Sequence, residues 1–541
     1  MMKVNHSFLK LFCLLSIGLI LSCVTYCVAL VHLSTLPQPS GLQENLSDTP
    51  KSYLIPKPQS PINQLVLVGS PYQRGLMTGR LMKNIMAQQE EKLMSEFNHF
   101  FSNPILRYSF IFSAMRWFWG VDEYIDKNFL EQMYGTSRAG LSKYNHLLDR
   151  YTRQLAYHGI HEIGQAFVDI EREDYGCTLF GLKHQGSWLI GRNFDFEVGR
   201  IFDEQKTIQW HLPNEGNAYV SIIWAGMVGA VTGINEHGVY ISINAAGSRD
   251  FRRYGTPTTL VVTKALQTAK NAEEAVDIIK ASKIFITDTF TVSDGGNLYQ
   301  IEKSPNRTKI HKISSNHVVT NHLSDPVFKK DTVNQYRQRD LTTKHRFERG
   351  QQLIESYSQN NLNDKQAELK ILEFLRDKKN LDGKNLHLGN RRAIDSLIAS
   401  HSVIYNSNTQ SMFVSEGPSL IGSFHGFDLK KSFARRKPIP IYSLPVDSEV
   451  SEREFYQLKK SLKLTSDAQT MIRQKNCEEA RKKLQQANAL NINHAGLSRV
   501  WGDLHQCLGD KSLAKKYWQE ALELIPAYRK QITYLNEVLN N

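Results

Sequence analysis

Cys177 follows a glycine in Tyr175-Gly176-Cys177-Thr178, at the head of a strand-like run, and the next apolar run closes on Gly191-Arg192-Asn193-Phe194-Asp195-Phe196. This order suits a thiol that cuts its own chain at the Gly176–Cys177 bond and then attacks acyl groups from the new terminus. Gly176 has no side chain to block attack on its carbonyl and tolerates strained backbone. The cut would free an α-amine with a pKa near 8 beside a thiol near 8.5, so one residue would supply both nucleophile and base. Asp195 would hold that amine and steady its charge; the flanking Phe194 and Phe196 argue for a half-buried setting. Arg192 would lower the thiol pKa through its own charge. A small buried cysteine, a turn aspartate and a surface arginine are the ordinary alternatives.

The elements that must position these residues are strands. After Asp174 the chain reads as apolar, β-branched pairs around Gly-bearing turns: 178–182 with 188–193, 207–212 with 218–224, and 230–234 with 239–244. Such pairs predict hairpins. Helix signals return at 258–268 and 271–281, and strands at 286–293, 298–302, 309–313 and 317–320. Residues 339–380 read as charged surface helices, and 401–405 with 411–415 as a last hairpin. Asn244 ends one of these strands, where its amide would donate to a developing oxyanion; a turn asparagine is the even alternative. Upstream, Leu65 to about Asp174 reads as helical, opening at Ser70-Pro71-Tyr72-Gln73-Arg74-Gly75 with Pro in the first turn.

Composition bounds the partners. The 541 residues carry 66 Lys+Arg against 53 Asp+Glu, a formal charge of +13. The excess is spread along the chain, and no finger, helix-turn-helix or RNP-like pattern accompanies it, so nucleic acid is not an expected partner. Leu11–Val31 is an apolar run of spanning length, preceded by Lys3 and Lys10 and followed by no cation until Lys51. It predicts a membrane anchor with the catalytic part extracytoplasmic, periplasmic or at the cell surface; a cleaved signal, hence secretion, and a lipoprotein site at Cys23 are the alternatives. Cys13, Cys23 and Cys27 fall in this leader. Cys477 and Cys507 are expected as two buried free thiols, with pairing to each other as the alternative; either way Cys177 is left alone. His158, His161, His184, His211, His237 and His322 show no strong metal-ligand spacing, and no metal or cofactor is expected.

The C-terminus repeats itself at a spacing of 34: Asn476/Asp510, Ala480/Ala514, Leu484/Trp518, Ala487/Ala521 and Leu490/Leu524. With Gly509-Asp510 and Pro526, this resembles a tetratricopeptide pair flanked by capping helices near 452–464 and 527–539. A protein partner is a possible use of such a tail.

Gly176-Cys177-Thr178, Gly191-Arg192-Asn193-Phe194-Asp195, Asn235-Glu236-His237-Gly238 and Thr320-Asn321 together resemble the acyl-coenzyme A:isopenicillin N acyltransferase-like family of N-terminal-nucleophile (Ntn) hydrolases, relatives of the bile-salt hydrolases and penicillin V acylases. Ser70–Gly75 with Gly79-Arg80-Leu81 resembles the start of that family's propeptide. The resemblance covers roughly 65–425. It implies an α+β fold, a four-layer αββα sandwich, with the small all-α tail beside it. It also implies cleavage between Gly176 and Cys177, and Asn244 and Asn321 as oxyanion donors. A late active-site arginine would be Arg391 or Arg392.

The organisation expected is 1–33 anchor or signal, 34–60 linker, 61–176 helical propeptide, 177–445 catalytic part and 446–541 helical tail. The expected function is that of an autoprocessed cysteine amidohydrolase or acyltransferase, made as a zymogen and acting on a small linear or lipid-like acylated amide through a thioester. A phospholipase-B-like lipid esterase and a non-catalytic tetratricopeptide scaffold at the membrane are the other readings.

Overall fold

The computed structural model describes residues 51–540 apart from 102, 119, 160–175, 197–198 and 358–361. Two sheets carry the fold. One has nine strands in the spatial order Tyr53–Ile55, Asn63–Gly69, Thr207–Pro213, Tyr219–Ile223, Thr232–Asn235, Tyr240–Ala245, Asp288–Ser293, Leu298–Lys303 and Thr308–Ile313. The other has seven: His317–Val319, Thr178–His184, Ser187–Asp195, Ala399–Asn406, Ser411–Ser415, Phe424–Asp428 and Pro440–Leu444. Within the nine-stranded sheet Asn63–Gly69 runs parallel to Thr207–Pro213.

Alternation along each strand builds the layers. Leu179, Trp188 and Ile190 point into a core shared with Trp210, Val220 and Tyr240 of the facing sheet. Phe180, Leu182 and Leu189 point the other way, under helices Thr343–Glu355 and Asp364–Leu375. On the far side Ile241, Ile243 and Phe290 pack beneath Thr258–Thr268 and Ala272–Ala281. The result is a four-layer αββα sandwich, and burial on both faces explains why its strands read as near-continuous apolar runs. Each fully buried large side chain contributes roughly 1.5–3 kcal/mol.

The expected hairpins form, including Thr178–His184 with Ser187–Asp195 around Gln185-Gly186, both at positive φ. Upstream, two corrections are needed. Tyr53–Ile55, inside the stretch expected as linker, is a strand paired with Asn63–Gly69. Asn63–Gly69 itself, overlapping the expected helical region, is a strand because its Leu-Val-Leu-Val run finds a neighbour on each side. Phe424–Asp428 and Pro440–Leu444 are strands that the sequence reading did not foresee.

Ser70 then opens Pro71–Leu81 with a capping box to Gln73, and Pro71 sits in the first turn. This helix crosses Lys127–Ser137 at Gly75 and Gly135, where a Cβ on either glycine would fall inside van der Waals contact with the partner backbone. Helices Lys83–Phe100, Pro104–Phe118 and Arg150–His158 complete the upstream part.

Five helices form the C-terminal region: Glu452–Arg473, Cys477–Asn488, Ala495–Cys507, Lys511–Glu523 and Arg529–Asn540. The repeated positions Ala480, Leu484, Ala487, Ala514, Trp518 and Ala521 are all buried. Gly502 makes room for the Trp518 indole, which a Cβ would strike. Cys477 and Cys507 are joined in a disulfide, not free, with Cα atoms 6.3 Å apart; the helical pair brings the start of one helix beside the end of the next. Leu11–Val31 lies outside the described residues, and among those described no helix is long and apolar enough to cross a membrane.

Candidate active site

Cys177 sits at the mouth of strand Thr178–His184 and is 2% exposed. Its Sγ lies 4.0 Å from the Asp195 carbonyl oxygen, and the Gly176 N–H donates to the same oxygen at 3.3 Å. The two strand ends are therefore laced together at the Gly176–Cys177 bond. A Cβ on residue 176 would stand 2.8 Å from the Asp195 Oδ2, so only glycine lets the carboxylate approach this peptide.

Two buried guanidiniums bracket the thiol from opposite layers. Arg192, in strand Ser187–Asp195, crosses the interface between the sheets. It donates to the Val231 and Ile243 carbonyls, to the Thr232 hydroxyl and to the Asn244 Oδ1 at 3.2 Å. Arg346 comes from the outer helix Thr343–Glu355. It donates to the Cys177 carbonyl at 2.7 Å, to the Thr178 hydroxyl at 2.9 Å and to the Asn321 Oδ1 at 2.8 Å. Charge-assisted bonds of this kind are the strong ones.

The two asparagines tie the sheets together reciprocally. Asn244 Nδ2 reaches the Val319 and Thr320 carbonyls at 3.3 and 3.5 Å, and Asn321 Nδ2 donates to the Ala245 carbonyl at 2.9 Å. The Asn244 amide thus accepts from Arg192 at Oδ1 and makes long contacts at Nδ2. Asn321 is committed at both ends of its amide, to Ala245 and to Arg346, so its geometry is that of a brace.

Burial sets the electrostatics. It pushes the Cys177 thiol above its ordinary value; Arg192 and, less strongly, Arg346 pull against it without winning. Arg192 thus pulls the thiol downward through its charge, and desolvation, the larger effect, leaves it raised in the intact chain. Burial likewise raises Asp195 to about 7, with Arg346 opposing, Asp395 reinforcing and Arg391 opposing; the Ser396 hydroxyl donates to it at 3.4 Å. A carboxyl titrating near neutrality is suited to exchange a proton with a thiol or an amine.

The late arginines divide. Arg391 acts on Asp195 through its charge, whereas Arg392 turns away and donates to the Ala527 carbonyl at 3.1 Å. The arginine that touches Cys177 is Arg346, which the sequence reading missed. The charge of helix Thr343–Glu355 hides it: only packing on the sheet shows that Thr343, Arg346, Phe347 and Gly350 face inward.

The histidines hold structural places. His158 accepts from the Val228 N–H at 2.8 Å and bonds the Gln154 carbonyl at 2.7 Å, using both ring nitrogens, and burial lowers it to about 4. His161 lies outside the described residues, as does Tyr175. His401 stacks on Phe194 and meets the Thr232 hydroxyl, and burial holds it well below its usual value. His184, His237 and His322 bond Asp364, Asn217 and Thr320 respectively, and His211 stacks on Tyr219.

Beside the nucleophile, Phe194, Phe196, Met227 and Trp224 join Cys177 in one apolar cluster. Phe196, Trp224 and Met227 also line a narrow cleft walled on its other side by Met86, Glu90 and Arg153 of the upstream helices. Arg153 and Glu90 are ion-paired at 2.9 Å there, with Tyr157 donating to Glu90 at 2.7 Å. The apolar wall of the cleft is therefore continuous with the cluster that buries Cys177.

Comparison with known proteins gives three kinds of likeness. Residues 182–396 match the family described as acyl-coenzyme A:6-aminopenicillanic acid acyl-transferase. Cys177 lies just before that stretch, and Arg192, Asp195, Asn244, Asn321 and Arg346 lie within it. The chain is 22% identical over 268 residues to protein dcd1A of Dictyostelium discoideum, covering 43% of this chain and 56% of that one. It is 27% identical over 112 residues to an uncharacterized protein of Archaeoglobus fulgidus, covering 20% and 19%. The match thus spans less than two thirds of either relative. Among solved structures, an N-acylethanolamine-hydrolyzing acid amidase ortholog from Caenorhabditis elegans is similar with a TM-score of 0.33 and 14% identity, over 49% of this chain and all of that one. A conjugated bile acid hydrolase variant from Clostridium perfringens is similar with a TM-score of 0.33 and 13% identity, over 51% of this chain and all of that one. The likeness to the acyl-coenzyme A:6-aminopenicillanic acid acyl-transferase family is thus carried by residues 182–396, the stretch that supplies these side chains beside Cys177.

Proposed function

We propose that this protein is a self-cleaving cysteine amidohydrolase or acyltransferase of the Ntn type. The observation that carries the reading is the meeting of Asp195, Arg346 and Cys177 at a peptide whose preceding residue must be glycine. In the first stage the Cys177 Sγ attacks the Gly176 carbonyl carbon. The S–C bond forms, the C–N bond breaks, and the thiol proton passes to the leaving nitrogen, with Asp195 as relay. Water then hydrolyses the thioester, which returns the thiol and leaves a free α-amine on Cys177.

In the second stage the same sulfur attacks an acyl carbon of substrate and its own amine moves the proton. Asn244, held by Arg192 and bonded only at long distance through Nδ2, is the asparagine freer to donate to the oxyanion; Arg346, braced by Asn321, fixes the Cys177 carbonyl. Release of the thioester to water makes the enzyme a hydrolase, and release to an amine makes it a transferase. The cleft beside Phe196 and Trp224 suits a linear, lipid-like acyl amide. The disulfide Cys477–Cys507 and the apolar leader both favour an oxidising, extracytoplasmic site at a membrane, with the helical tail open to a protein partner.

Mass spectrometry of the purified chain tests this. Two fragments joining at Gly176/Cys177, absent from Cys177→Ala, support it; an intact parent chain overturns it. Release of fatty acid from N-acyl amides and not from phospholipids then separates amidase from esterase.

A further inference from the structure

The stretch Leu388–Leu397 lies between Asp195 and the C-terminal helices. Toward the site it presents Ser396, hydrogen-bonded to the Asp195 carboxylate, together with Arg391 and Asp395, whose charges act on that carboxylate. Toward the tail it presents Asn390, whose Nδ2 donates to the Ile525 carbonyl at 2.8 Å, and Arg392, whose Nε donates to the Ala527 carbonyl at 3.1 Å. Leu388 and Leu397 pack with Phe455, Leu458 and Ile492 in a seam between the two regions. Gly389 admits Leu458 so closely that a Cβ would stand 2.9 Å from its methyl.

The tail reaches the site by a second route. Tyr528, one residue past the carbonyl that Arg392 grips, is buried near Arg346 and interacts with its charge. His345, the neighbour of Arg346, meets the Arg392 carbonyl at 3.3 Å.

We propose that the C-terminal helical region is a positioning element of the active site, acting through Asn390 and Arg392, which clamp the loop that presents Ser396 to Asp195. This rests on the reading of Cys177 and Asp195 given above. Ile525, in the left-handed region at a φ of 56°, and Ala527 supply the acceptors. The loop has no regular secondary structure, and on the tail side only these bonds add to the packing of Leu388 and Leu397, so without them the order of the segment around 390–396 falls. The carboxylate would then lose a fixed donor and two fixed charges at once.

The test uses the full-length chain, as Asn390→Ala, Arg392→Ala and the double variant, with Arg392→Lys as the conservative control. Hydrogen exchange at amides 390–398 reads the clamp whether or not the chain turns over. The rate at which iodoacetamide alkylates Cys177 across pH 5–9 reads the site; the groups facing it are Asp195, Asp395, Arg192, Arg346 and Arg391. The expected result for the double variant is at least tenfold faster loop exchange, together with a displaced alkylation profile and a self-cleavage rate lowered about tenfold. Arg392→Lys should recover part of both. Faster exchange with an unchanged alkylation profile and cleavage within twofold of the parent would overturn the proposal, since the clamp would then be structural only. An intact parent chain with a displaced profile in the double variant would sink the self-cleavage reading while sustaining the clamp.

Discussion

Two helical regions flank the sandwich, and they are joined to it by different physics. The upstream part enters through backbone: Asn63–Gly69 pairs with Thr207–Pro213 over seven residues, and Tyr53–Ile55 adds an edge strand. The downstream part enters through side chains, namely an apolar seam around Leu458 and the donors Asn390 and Arg392. A strand in a sheet is held by a ladder that no single side chain controls. A side-chain seam can be loosened one residue at a time. Cutting the chain at Gly176–Cys177 should therefore leave the upstream part in place, while the downstream part remains open to adjustment.

The largest expected effect breaks the chemistry itself. Cys177→Ala should abolish cleavage and lower turnover by at least about 10³-fold, as loss of a covalent nucleophile does. The parent, by contrast, should show two fragments under denaturing conditions that co-elute on a native sizing column. Separation of the fragments without denaturant would break the claim that a β-ladder holds the upstream part.

Arg346→Met comes next, because it is the point where the nucleophile and the tail both act on one charge. It removes the donors to the Cys177 carbonyl and the Asn321 amide and leaves buried acceptors without partners. Loss of one member of such a buried network is worth roughly 3–5 kcal/mol. Urea denaturation should show that loss, and Arg346→Lys should recover little of it, since an ammonium cannot reproduce the fork. A change below about 1 kcal/mol would mean that the site closes without this arginine.

A similar magnitude with the opposite sign belongs to Asp195→Asn. The folded carboxyl titrates near 7, above its unfolded range, so between about 4 and 7 the native state binds the extra proton. Stability contributed by this group is intact below that window and is lost as pH rises through it. The full difference is roughly 4 kcal/mol above pH 7. Calorimetry should find the parent less stable at pH 8 than at pH 5 through this group. Asp195→Asn should flatten that slope and raise the midpoint at pH 8, at the expense of self-cleavage. An unaltered slope would place the raised carboxyl elsewhere.

Strand pairs around Gly-bearing turns, the lone Cys177 and the periodicity of the tail could all be read in the sequence, because each is a local pattern. The site's other half could not. Arg346 sits on a helix whose high charge reads as surface, and only the packing of Phe347 and Gly350 against the sheet turns that face inward. Asn63–Gly69 looks like the start of a helical region until its two neighbours are known. The clamp at Asn390 and Arg392 joins residues about 135 positions apart; no spacing rule reaches that far. The pairing of Cys477 with Cys507 depended on two helices lying antiparallel, which the repeat implied but did not guarantee.

The smallest expected effect separates the two regions most sharply. Replacing Cys477 and Cys507 by serine removes a cross-link spanning 30 residues, worth roughly 3.6 kcal/mol in the chain-entropy account. That loss is confined to the helices between 477 and 523, because neither sulfur touches the sandwich. Hydrogen exchange should quicken there and leave the amides of Thr178–His184 and Asn63–Gly69 unchanged. Calorimetry should resolve an early transition ahead of that of the sandwich. Ile525 and Ala527 lie just beyond the cross-linked helices, so a loosened pair also weakens the carbonyls that Asn390 and Arg392 grip. Self-cleavage should then slow modestly, in the same direction as the clamp variants and by less. Equal quickening of exchange in the upstream strands would dissolve the contrast, since a side-chain seam would be transmitting what only a backbone ladder should.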